Sequence, residues 1–129
     1  MPTPQLPTER ELDILKVLWR RGKATVREVY EELREHRPIV QNTVQAFLRT
    51  MEQKELVSHH TVGRSFVYRA LTERERTEGH LLQGLLQKVF DGSLHHLVAR
   101  ALSVSPPSDE EVQSLQRLLR QTEGAEDSP

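Results

Sequence analysis

The sequence predicts a mainly α chain in two parts, and three observations predict it. Residues 8–54 carry three helical apolar stripes, two of them opened by Thr-x-x-Glu boxes. A period-2 stretch and a glycine turn follow directly, which is the pattern of a β-hairpin. Residues 72–121 then hold ten leucines and a single aromatic, Phe90, on short helical stripes. Three helices closed by a hairpin wing make a winged helix-turn-helix domain over residues 8–71. The stripes beyond it make a C-terminal helical dimerisation region over residues 72–121. Residues 1–7, with three prolines, and the polar residues 122–129 read as disordered tails.

Each element has a local cause. Thr8 and Glu11 form a capping box, and Leu12, Ile14, Leu15, Val17, Leu18 and Trp19 make the helix behind it mostly buried. Gly22 ends that helix. Thr25 and Glu28 open a second, whose stripe is Val26, Val29, Tyr30 and Leu33. It ends near His36, before Pro38. The third runs from about Gln41 to Lys54 and buries Val44, Phe47, Leu48 and Met51. Its opposite arc holds Asn42, Ala46, Arg49 and Gln53, flanked by Thr43 and Thr50. Such a face is small, polar and poor in charge, which suits close approach to a groove better than exposure to water.

Leu56–Thr61 and Phe66–Leu71 are the hairpin strands, and Val62-Gly63-Arg64-Ser65 is a basic turn between them. Thr72-x-x-Glu75 and Ser108-x-x-Glu111 are two further capping boxes. Between them lie the apolar stripes of Leu81 to Phe90 and Leu94 to Leu102, broken at Asp91-Gly92. Short amphipathic helices of this kind cannot bury all their leucines against one another. Pairing two copies would bury them, as an isologous two-fold interface. The expected seam is Leu82, Leu85, Leu86, Val89, Phe90, Leu94, Leu97, Val98, Leu115 and Leu119.

Composition excludes several classes of function. Cysteine is absent, which removes disulfides, thiol catalysis and thiolate metal sites. No apolar run of about 18 residues or N-terminal secretory pattern is present, so a cytoplasmic protein is the default. The net charge of −1 hides an asymmetry: residues 1–71 carry 12 basic and 9 acidic groups, residues 72–129 carry 6 and 10. His59-His60 on a strand point to opposite faces, and His95-His96 on a helix are about 100° apart, so neither pair chelates a metal ion. There is no nucleophile elbow, phosphate loop or zinc-protease motif, and no enzyme, cofactor, metal or small-molecule substrate is expected.

Four segments carry a resemblance. They are Leu12-x-Ile14-Leu15-x-Val17-Leu18-Trp19, Thr25-Val26-Arg27-Glu28-Val29, Asn42 to Arg49, and Gly63-Arg64-x-Phe66-x-Tyr68, with Phe90-Asp91-Gly92-Ser93-Leu94 further on. Together they resemble the penicillinase-repressor family of BlaI, MecI and CopY. The resemblance implies a cytoplasmic homodimer that binds dyad-symmetric double-stranded operator DNA. It places DNA contacts at Asn42, Thr43, Ala46, Arg49 and Thr50, with Arg64 on the wing. Lys23, Arg37 and Lys54 are further phosphate candidates. It also implies release by cleavage in the dimerisation region, signalled by a membrane sensor metalloprotease. The matching position is Arg100-Ala101, where relatives have Asn-Phe. The competing expectation is a winged helix used for protein–protein contact without DNA, which the near-neutral total charge favours.

Overall fold

A computed structural model describes residues 5–126. The expected tail positions 1–4 and 127–129 lie outside the described residues. The chain divides into two compact units, Met1–Gln83 and Gly84–Pro129.

The first unit opens with α1, Glu9–Arg21. Its capping box is complete: the Glu11 amide donates to Thr8 Oγ1 at 3.3 Å, and the Thr8 amide to Glu11 Oε1 at 2.9 Å. Gly22 ends it with φ +86, its amide donating to the Leu18 carbonyl at 2.7 Å. This is the left-handed region that glycine occupies without strain. β1 (Ala24–Thr25) follows, then α2 (Val26–Leu33), capped reciprocally by Thr25 and Glu28. Next come α3 (Gln41–Gln53), β2 (Val57–Val62) and β3 (Ser65–Ala70).

The sheet is antiparallel, in the order β1-β3-β2. Ala24 pairs with Tyr68 and Thr25 with Val67, while Val57 to Val62 pair with Ala70 back to Ser65. Each hairpin strand therefore sits one residue nearer the tip than its spacing suggested. That leaves a two-residue turn of Gly63 and Arg64, with Gly63 at φ +62. β1 was not expected, because two residues show no periodicity. The core gathers Ile14, Leu15, Leu18, Val29, Val44, Leu48, Met51, Val57 and Tyr68. Phe47, expected in that core, is only half-buried at its edge.

One charge pair lies at the core's margin. Glu11 is 2% exposed and accepts from Lys54 Nζ at 2.8 Å. Burial pushes the Glu11 carboxyl upward, but the Lys54 hydrogen bond and the Thr8 amide outweigh it and hold the group below its ordinary range. The Thr25 amide, foremost, does the same for Glu28. A carboxylate depressed in the folded state contributes stability above its unfolded pKa and loses it as pH falls through the folded value. The domain should therefore lose stability on acidification below about pH 4.3, the unfolded value for glutamate. Glu11→Gln should flatten that loss in a thermal-melt series against pH.

Two sequence expectations are corrected at α4, Arg74–Phe90. Thr72 is not its cap, because the helix begins one residue later than a Thr72 cap requires. The Thr72 hydroxyl instead accepts from Thr77 Oγ1 at 3.2 Å, and its carbonyl accepts Trp19 Nε1–H at 2.8 Å. Residues just beyond 71 thus belong to the first unit, with Thr77 buried, and the division falls inside α4 rather than at 71/72.

The second unit continues α4 and adds α5 (Leu94–Val104) and α6 (Asp109–Glu126). Ser93 caps α5 through the His96 amide, and Ser108 accepts the Glu111 amide in α6. The tail expected over 122–129 is helical as far as Glu126. Its polar composition argued for disorder, but no proline interrupts the helix there, and Thr122 Oγ1 donates to the Leu118 carbonyl. None of residues 84–124 is buried. No helix among the described residues is long and apolar enough to cross a membrane.

Candidate nucleic-acid interface

α3 owes its position to Val44, Leu48 and Met51, which anchor it in the core. That anchoring turns Asn42, Thr43, Ala46, Arg49 and Thr50 outward, and all five are exposed. Arg64, at the wing tip, is exposed as well. These six do not form one cluster. Thr43, Ala46 and Thr50 line one flank of α3, in a shallow apolar depression with Thr8, Phe47 and Lys54. Arg64 lies across the other flank, over a groove of about 440 Å³ that also takes in Thr25, Arg27, Gln41, Gln45 and Phe66.

Gln41, Gln45 and Arg27 went unrecognised in the sequence. On a helical wheel Gln41 and Gln45 fall about 60° and 100° from Val44, at the border between core and solvent. Only the wing's side of the helix decides that they face Arg64. Arg27 reads as an ordinary surface charge, and it pairs with Glu31 at 3.0 Å.

Charge separates two sets of cations. Lys54 and Arg37, expected as phosphate contacts, are engaged internally, with Glu11 and with Asp13 at 3.2 Å. Both partners stand on α1, far away in sequence. Arg49 and Arg64 have no ion pair among the described residues. The α3 N-terminus adds to this. Val40 supplies no side-chain cap, and no acidic residue stands in the first turn. α1 and α2 both hold glutamates there. The amide-rich end of α3 therefore keeps its partial positive charge unmasked.

The histidines are accounted for individually. His59 is half-buried and His60 exposed, on opposite sheet faces. His96 sets its ring edge-on to Phe90, centroids 5.1 Å apart.

The ten seam residues lie on α4, α5 and α6. Leu86, Phe90 and Leu97 are half-covered and the other seven are exposed, Leu94 at 64% and Leu119 at 65%.

A family model described as penicillinase repressor matches residues 7–121. The chain belongs to the penicillinase repressor family. A penicillinase repressor from Bacillus licheniformis is 27% identical over 118 residues, covering 92% of this chain and 91% of that protein. The solution structure of the DNA binding domain of the repressor BlaI matches with a TM-score of 0.51 at 28% identity, over 57% of this chain and 90% of that domain. The YusO protein from Bacillus subtilis matches with a TM-score of 0.55 at 21% identity, over 94% of this chain and 76% of the other, which shows a shared fold. Membership of the penicillinase repressor family makes the chain a transcriptional repressor with a winged-helix fold.

Proposed function

We infer that the chain is a homodimeric repressor that binds dyad-symmetric double-stranded DNA, with α3 in the major groove and the wing on the backbone. One observation carries this reading: an outward α3 face of small residues with Arg49 on it, and Arg64 on the wing across its other flank, neither arginine ion-paired among the described residues. The kinship to a repressor whose DNA binding domain has been solved supports it. Thr43 and Asn42 suit base edges, while Arg49 and Arg64 suit phosphates. A dimer presents two such helices, so its site is a pseudopalindrome with half-sites about one helical turn apart.

Arg64→Ala should weaken binding to all sequences alike and reduce the slope of log affinity against log salt by about 1. Thr43→Ala should instead change which base pairs are preferred in a selection from random duplexes. An unchanged preference would overturn the placement of Thr43 against bases.

Release would come from a cut at Arg100-Ala101 on α5, where both residues are exposed in the single chain. A cut there takes α6, with Leu115 and Leu119, out of the seam, while the other eight seam residues stay with the DNA-binding part. The weakened seam then couples the two half-site contacts less tightly. The expected cutter is the protease domain of a membrane sensor. An immunoblot during induction should show a fragment of roughly 100 residues, set by the position of Arg100 in the helical region. Full-length protein at constant abundance through induction would contradict release by cleavage.

A further inference from the structure

One polar contact joins the recognition helix to the wing among the described residues. His59 Nδ1, on β2, lies 2.7 Å from Glu52 Oε1 and 2.9 Å from Oε2, on the last turn of α3. The imidazole also lies against the hairpin's other strand, its centroid 4.4 Å from Phe66 and 5.2 Å from Tyr68. The side chain thus touches both strands of the wing and the helix beside it.

Val57 and Tyr68 hold the lower half of the hairpin in the core, and β1 pairs with it at Tyr68 and Val67, its middle rungs. Beyond those rungs every residue from Thr61 to Phe66 is exposed. Arg64 therefore stands at the end of a short two-stranded extension beyond the three-stranded part of the sheet. Two-stranded ribbons are marginally stable alone and twist readily.

We propose that Glu52 and His59 are positioning residues for DNA recognition, clamping the wing against α3 so that Arg64 and the α3 face meet one duplex together. This rests on the DNA-binding reading above. His60 lies on the far face, and Lys54 is held by Glu11, so Glu52 is the carboxylate that His59 meets.

The test uses full-length protein and a duplex that wild-type protein selects from a random-sequence pool. Affinity is measured by fluorescence anisotropy at one pH and fixed ionic strength. The full cycle of Glu52→Gln, His59→Gln and the double variant is compared. Each single variant should lose up to about fivefold in affinity, the range of a partly exposed polar pair. The double variant should be no weaker than either single one. Additive losses would overturn the clamp. A second readout needs no DNA. Amide resonances of Gly63 and Arg64 should shift from their wild-type positions in Glu52→Gln and His59→Gln alike. If those shifts are seen but no duplex is selected, the DNA-binding reading fails and the clamp stands. If the shifts are absent while a duplex is bound, the clamp fails alone.

Discussion

Leu85→Asp, or Leu97→Asp, should convert full-length protein to a monomer and lower its affinity for a two-half-site duplex by about 10²–10⁴-fold, the gain that bivalency confers. The reason is the composition of the second unit. Leu85 on α4 is 45% exposed and Leu97 on α5 is half-covered, so an aspartate at either position is tolerated by a lone chain. In a seam between two chains the same carboxylate would be stripped of water without a partner. Sedimentation velocity at micromolar concentration separates the cases. Wild-type protein should run at twice the 14.9 kDa chain mass and the variants at once that mass, with unchanged helix content by circular dichroism. Wild-type protein at monomer mass would sink the dimer.

Leu48→Ala should destabilise the first unit by about 2–5 kcal/mol, the usual cost of removing a fully buried leucine side chain. Leu48 is fully buried, and α3 has only Val44 and Met51 beside it as fully covered anchors. Domains of this size have a total stability of about 5–15 kcal/mol, so the loss is a large share. Urea unfolding reads it directly, and DNA binding should fall with it, because the same anchors turn Thr43 and Arg49 outward. Leu119→Ala provides the contrast. In a lone chain a residue so exposed should change stability by no more than about 0.5 kcal/mol. In a dimer seam it should cost more, and the cost should depend on protein concentration.

What the sequence discloses follows from how local each cause is. The caps of α1 and α2 are legible because Thr8 with Glu11, and Thr25 with Glu28, sit three residues apart and need no tertiary partner. The outward face of α3 is legible because helical periodicity separates Val44, Leu48 and Met51 from Asn42, Ala46 and Arg49. β1 is not, since its two residues pair with β3 more than forty positions away. The wing-side flank of α3 is not legible either: periodicity assigns Gln41 and Gln45 to a border, and only the direction of the hairpin puts Arg64 opposite them. The Lys54 partner is not legible for the same reason, because Glu11 reaches it across the fold. The Thr72 box fails because Trp19 and Thr77 draw that stretch into the first unit. Glu52 and His59 lie on different elements with a turn between them, so no single helical or strand period relates them.

The central claim is that this repressor reads DNA as a dimer through α3 and the wing, and a mobility-shift titration of full-length protein against genomic fragments tests it most directly. A few fragments should be retarded well before bulk DNA, with two chains per duplex. Affinity should also fall steeply with salt, with a smaller salt slope for Arg64→Ala. Uniform, weak retardation of all fragments alike, or none, would contradict it.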